Sequence, residues 1–397
     1  MAAPFSVTLE LRIFGNYIEV MPNSIDCRFD AHCHLFNIKY LELELAHILK
    51  DAIAGDYEHR NASDDPTFPH DPISSIHSVM GWLEELKKGL LESDEEHWLT
   101  LQTAAQKAWA DGLPVKAIPL MMDVYYLFAK SLGPNERANV HERQSNLWQK
   151  VLSFIFGSNG AYHSAGFDFE RKNMTQLVHK YPGTLFPFFA VDPRRPGVID
   201  EVLRGKTVSK NGPFYGIKLY PRLGYHPQCA DLWRIYAWCE INHIPIITHT
   251  DEIGFPPPPL EQLLHINEGE LGNPANYADI LAKHPNLVID FAHFGMSNAT
   301  WAEQIAIFME KFPAVYSDLA CYTSAEAVRN FKRKFWSRPM VAQRTMFGTD
   351  FDVMLAVAPG STLDNYYRDF SEIHNPGAFS AEELAAMSCT IPKAFLR

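Results

Sequence analysis

The chain has 397 residues and a net charge of −12, with 47% hydrophobic and 21% charged residues. That balance describes a globular protein able to bury a large core, and it excludes a disordered or membrane-embedded chain. The acidic surplus also argues against a nucleic-acid or anionic-membrane surface, both of which call for clustered Lys and Arg.

No apolar run approaches the ~20 residues of a membrane helix. The first residues, Met1-Ala-Ala-Pro-Phe-Ser, lack the basic start and apolar core of a signal peptide. Cys27, Cys33, Cys229, Cys239, Cys321 and Cys389 are sparse and form no Cys-x-x-Cys pair. Reduced thiols and a cytoplasmic location are the expectation, without a disulfide framework.

Residues 6–21 alternate and break at Gly15-Asn16, predicting a hairpin within an N-terminal segment, 1–24. Residues 25–34 then read as a strand ending in Phe29-Asp30-Ala31-His32-Cys33-His34. From about 41 to 116 the spacing is helical, with an apolar stripe at Leu41, Leu45, Ile48 and Leu49 and another at Met80, Leu83, Leu86 and Leu90. This segment far exceeds the usual ~2–6-residue strand-to-helix loop, so it reads as an inserted helical cap. A strand over 115–123 and a second helical insertion over about 124–180 follow. Further strands are expected at 184–192, 214–220, 244–250, 287–293, 314–319 and 345–350, with helices over 231–242, 277–283, 301–312 and 325–335 between them. Eight short apolar strands alternating with helices predict an α/β fold, a (β/α)₈ TIM barrel over 25–397 with large helical insertions after the first and second strands. A doubly wound open sheet is the alternative.

Polar residues capable of chemistry fall near the C-terminal ends of these strands, where such barrels carry their active sites. In a strand His32 and His34 point to one face, about 7 Å apart at ~3.3 Å per residue, and can close on one divalent ion. With 17 histidines in the chain, such a pair needs context to mean anything. Alone, His293 reads as a satisfied core histidine and Asp350 as a helix N-cap. Lys218, inside the apolar strand 214–220, is harder to dismiss, because a buried ammonium is costly unless paired or chemically altered. Together, His32 and His34 on the first strand, Lys218 on the fourth, His249 on the fifth, His293 on the sixth and Asp350 on the eighth would converge at one barrel mouth.

The phrases Asp-Ala-His-Cys-His, Gly-Ile-Lys-Leu-Tyr-Pro, Thr-His-Thr, Ala-His-Phe-Gly and Phe-Gly-Thr-Asp-Phe resemble the amidohydrolase superfamily. They are most similar to the branch containing aminocarboxymuconate-semialdehyde decarboxylase and related metal-dependent hydrolases. The resemblance spans roughly residues 25 to 395. It implies that His32, His34, His249 and Asp350 are ligands of Zn²⁺, with Mn²⁺ or Fe²⁺ as alternatives, and that Asp350 and His293 move protons. Lys218 would either be carboxylated and bridge two ions, with His293 then a ligand of the second, or remain a free cation beside the substrate. Arg194, Arg195 and Arg222 are candidates for gripping a substrate carboxylate, with solvated loop arginines the plain alternative. The implied activity is hydrolysis of an amide, ester or lactone bond in a small molecule. Non-oxidative decarboxylation on the same metal site is the alternative. The helical cap would serve as a lid or as the surface of a homodimer.

Overall fold

A computed structural model describes residues 10–14, 17–21, 25–35, 93–124, 126, 131–138, 165–252, 254, 269–351, 353–354 and 362–397. Most of the expected helical cap and much of the second insertion lie outside these residues. The N-terminal hairpin is present as β1 (Glu10–Phe14) paired antiparallel with β2 (Tyr17–Met21).

β3 (Arg28–Cys33) pairs in parallel with β4 (Val115–Pro119), with an irregular register between Asp30 and Cys33. A second parallel sheet runs in sequence order through β5 (Phe188–Ala190), β6 (Gly216–Leu219), β7 (Ile246–His249), β8 (Ile289–Ala292), β9 (Val315–Asp318) and β10 (Thr345–Met346). Both of its edges meet the β3–β4 pair. Parallel bridges join Ala117 to Leu185 and Leu120 to Phe188. At the other edge, the Ala31 amide donates to the Phe347 carbonyl at 2.8 Å and the Asp350 amide to the His32 carbonyl at 2.7 Å. Strand runs buried on both faces are what a helix-covered parallel sheet requires.

Helices fill the connections. α1 (Asp94–Trp109) starts where the Ser93 hydroxyl accepts from the Glu96 amide at 3.2 Å, carries Asp94, Glu95 and Glu96 in its first turn, and buries Trp98, Leu101 and Ala105. Its i, i+3, i+7 spacing sets the apolar face against the strands. There follow α2 (Ala165–Lys180), α3 (Val198–Leu203), α4 (Leu232–Asn242), α5 (Ala278–Lys283), α6 (Ala299–Lys311), α7 (Ala325–Phe335), α8 (Pro339–Arg344) and α9 (Leu363–Phe370). The chain ends in α10 (Ala381–Ala385), a π-helical turn (Ala386–Thr390) and α11 (Ile391–Phe395). The helices beyond residue 336, and α3, were not among the expected elements.

Two apolar layers result. The larger lies between strands and helices and includes Ile217, Leu219, Ile246, Ile289 and Phe291. The smaller gathers Phe29, Ala31, Ile118, Leu120, Phe188, Ile247, Ala292 and Met346 around Ile391 and Phe395 of α11. His249 lies two positions after Ile247, and Asp290 two before Ala292, so both share this second face. The C-terminal helix therefore seals one end of that face with hydrocarbon, and polar groups occupy the other. Each aromatic or aliphatic side chain buried there contributes about 1.5–3 kcal/mol.

Candidate metal centre

At the C-terminal end of β3, His32 within the strand and His34 just past it turn toward Asp350, which follows β10. His32 Nε2 and His34 Nε2 each lie 3.3 Å from Asp350 Oδ1, and all three residues are buried. The ring centroids of the two histidines are 5.7 Å apart. Asp350 adopts a left-handed backbone (φ 57°), as do His293 (66°), Phe294 (49°) and Cys321 (65°) at the ends of β8 and β9. Such conformations cost about 1–3 kcal/mol each and cluster where side chains must be aimed at a site.

The outward nitrogens of both histidines are engaged. His32 Nδ1 lies 2.7 Å from Asp318 Oδ2, and His34 Nδ1 lies 2.8 Å from the Leu120 carbonyl. A carbonyl can only accept, so His34 Nδ1 carries the proton and Nε2 the lone pair. An ionised Asp318 fixes His32 in the same tautomer. Both Nε2 lone pairs thus face Asp350 Oδ1. His32 Nε2 and Asp350 Oδ1 are buried without a hydrogen-bond partner, an expensive arrangement for a site that holds nothing. Two imidazoles and a carboxylate whose acceptor atoms mutually approach within 4.8 Å suit a divalent cation such as Zn²⁺ or Mn²⁺.

His293 and His249 stand beside this group. His293 Nε2 is 3.2 Å from His249 Nδ1, the His32 and His293 rings are 4.8 Å apart, and Tyr220 packs on His249 at 4.2 Å. The structure brings His32, His34 and Asp350 into mutual reach, and likewise His32, His293 and Asp318. His249 lies one ring further out, against His293. Lys218 Nζ is buried without a hydrogen-bond partner.

The electrostatics follow from burial and charge. Burial pulls His34 down to about 4. Burial opposes charge on His32 too, but Asp318 outweighs it and raises its pKa. Asp350 stays well below the ordinary carboxylate range, held there against burial by the His32 and His34 rings beside it. Burial drives Lys218 down to about 8 against the pull of Asp350, Asp318 and Asp290. Asp290, buried beside Asp318, is pushed well up. A buried ammonium near neutrality with carboxylates around it is a feature of functional sites.

The arginines differ from expectation. Arg194 grips Asp192 through Nε and Nη2 at 3.0 and 2.7 Å and also donates to the Leu223 carbonyl at 2.8 Å. Arg195 grips Asp123 in the same forked way, at 2.6 and 2.7 Å. Both are buried, and a buried guanidinium needs such a partner. Their forks serve the walls of the site, and Arg222 is buried in the short helical turn Pro221–Leu223 that follows β6.

Asp318 is the site residue that sequence reasoning missed. Its Oδ1 accepts from the His293 and Ala320 amides at 3.0 and 2.9 Å while Oδ2 meets His32. The available signal was an acidic residue closing the apolar strand 314–319, in the same place as Asp350 after the last strand.

The amidohydrolase family profile matches residues 29–396. No curated protein matches the chain. Among solved structures, a 2,6-dihydroxybenzoate decarboxylase complexed with 2,6-dihydroxybenzoate superposes with a TM-score of 0.50 at 13% identity, covering 94% of this chain and 98% of that one. The 5-carboxyvanillate decarboxylase of Novosphingobium aromaticivorans, crystallised with manganese, gives 0.52 at 13% identity over 93% and 97% of the two chains. That of Sphingomonas paucimobilis gives 0.51 at 9% identity over 93% and 98%. At these identities the likeness is one of fold. With the profile spanning nearly the whole chain, this protein is an enzyme of the amidohydrolase family.

Proposed function

We propose that the protein is a metal-dependent hydrolase that cleaves an amide, ester or lactone bond of a small molecule. In this reading the eight parallel strands β3 to β10 close as a (β/α)₈ barrel through the bonds at both sheet edges. The observation that carries the reading is the convergence of His32 Nε2, His34 Nε2 and Asp350 Oδ1, two of them buried without a hydrogen-bond partner. His32, His34 and Asp350 hold one divalent cation, and His249 completes the set. When bound, that ion polarises the scissile carbonyl and makes a water acidic enough to react near neutral pH. Asp350, charged at neutral pH, accepts the proton of the attacking water and passes it to the leaving group. His293, with Nδ1 on the Ala320 carbonyl at 3.3 Å, offers Nε2 as the acceptor and carrier of a proton at the substrate. Lys218 contributes positive charge at the same wall. The burial of all these groups keeps bulk water from weakening their fields.

Decarboxylation of a carboxylated small molecule is the second reading, and the buried ammonium of Lys218, without a hydrogen-bond partner, favours it. A substrate carboxylate would meet that cation, and His293 or Asp350 would handle the proton at the carbon losing CO₂. The fold likeness to decarboxylases supports it as well. Assaying metal-loaded enzyme on panels of lactones, esters, amides and aromatic carboxylates, following acid or amine release against CO₂ release, separates the two. Asp350→Asn should cost about 10²–10⁴-fold in turnover on any confirmed substrate. Unchanged turnover in that variant would remove Asp350 from the mechanism.

A further inference from the structure

Cys27 immediately precedes β3, at the end of the strand opposite His32 and His34. Its Sγ lies 3.6 Å from Cys389 Sγ, 362 positions later, and each cysteine is only 1% exposed. Cys389 belongs to the π-helical turn Ala386–Thr390, a widened geometry that often marks functional positions. The Cys389 thiol donates to Asp26 Oδ1 at 3.7 Å, and that carboxylate is ion-paired with Lys393, whose ammonium acts on both thiols. The contact between the two thiols, with the Asp26 and Cys27 amides facing Cys389, lowers the pKa of Cys389 and raises that of Cys27. Among the described residues the other cysteines show no such pairing. Cys33 is directed at the Ile118 carbonyl and Cys321 at Asp350.

We propose that Cys27 and Cys389 form a redox dithiol that a small peroxide closes to a disulfide. In the first step the Cys389 thiolate attacks one peroxide oxygen. The O–O bond breaks, the departing hydroxide takes a proton and leaves as water, and Cys389 becomes a sulfenic acid. The Cys27 sulfur then attacks the Cys389 sulfur. The S–S bond forms, the S–O bond breaks, and hydroxide leaves with the proton of Cys27 as a second water. Two thiols are oxidised by two electrons, and one peroxide is reduced to two waters.

The geometry suits this chemistry. The sulfurs, 3.6 Å apart, must approach to about 2.05 Å, and Cys389 is carried by the π-turn between two short helices. Asp26 and Lys393, with side chains 64% and 29% exposed, form the cover over the pair. The same three groups, Asp26, Cys27 and Cys389, lie within 4.8 Å of one another, as metal ligands would. Lys393 already occupies the carboxylate, however, and a cation would have to displace it. The bond would tie the start of β3 to the turn whose Met387 carbonyl accepts from the Phe347 amide at 3.0 Å, clasping the two strands that lead to His32 and Asp350.

The experiment treats the full-length protein with hydrogen peroxide and maps its cysteines by mass spectrometry. The expected result is the loss of two hydrogens, a cross-linked peptide pair containing Cys27 and Cys389, and a higher Tm that a reductant reverses. Cys27→Ser should instead leave a sulfenic acid trapped on Cys389 by a dione reagent, a readout that needs only a folded chain. Both thiols remaining free after prolonged treatment, or each going separately to a sulfinic acid without a cross-link, overturns the proposal. So does zinc bound one to one by the untreated protein and lost in both Cys27→Ser and Cys389→Ser.

Discussion

Asp318 Oδ2 lies 2.7 Å from His32 Nδ1, with both side chains fully buried, while Oδ1 of the same carboxylate takes two backbone amides. The carboxylate thereby sets which nitrogen of His32 faces Asp350. In Asp318→Asn the amide oxygen must serve the two backbone N–H groups, so its NH₂ faces His32 Nδ1. The imidazole then moves its proton to Nε2 and loses the lone pair it offers the metal. We predict divalent metal binding about 10–100-fold weaker, with an unchanged far-ultraviolet circular dichroism spectrum. Calorimetric titration with zinc checks this.

Gly348 sets the approach of the last strand to the first. A Cβ there would lie 2.7 Å from His32 Cβ and 3.1 Å from the His32 amide nitrogen. Since the neighbour is partly backbone, the strand end itself must shift. Gly348→Ala should destabilise the fold by about 1–3 kcal/mol and weaken metal binding with it. Urea unfolding and metal titration of the variant measure the two effects.

Glu383 sits remote from the site, in the capping box of α10. Its carboxylate accepts from Lys332 Nζ at 2.6 Å, Trp336 Nε1 at 2.6 Å and the Ser380 amide at 2.7 Å. Burial raises its pKa, but Lys332 and the Ser380 amide override that and hold it below the usual value. A carboxylate depressed on folding contributes stability above its unfolded pKa of about 4.3, and loses it as pH falls through the folded value. Glu383→Gln should therefore cost about 1 kcal/mol at pH 7, and the gap from the parent should close below about pH 4. Denaturant titrations across that range read it directly.

Much of this was legible in the sequence for a physical reason. Strand ends announce themselves when an apolar run closes on a residue that has no apolar role, as at His32, His249, His293 and Asp350. The register irregularity between Asp30 and Cys33 did not disturb the reading, because His32 and His34 still meet on Asp350 from one side. Asp318 escaped notice because its partner lies 286 positions away, and no local pattern records such a pairing. Arg194 reads as a grip for a substrate carboxylate, whereas its partner is Asp192, two residues back. The rule that buried guanidinium groups need carboxylates would have placed it. The helices after residue 336 stand outside the predicted pattern because the alternation of strand and helix ends with β10.

The most direct test of the account is calorimetric titration of chelator-treated protein with Zn²⁺ and with Mn²⁺, repeated on His34→Ala and Asp350→Asn. The account predicts one ion bound per chain, with affinity falling at least about 10-fold in each variant. Stoichiometric binding untouched by either substitution, or a folded protein that binds neither ion, would contradict it.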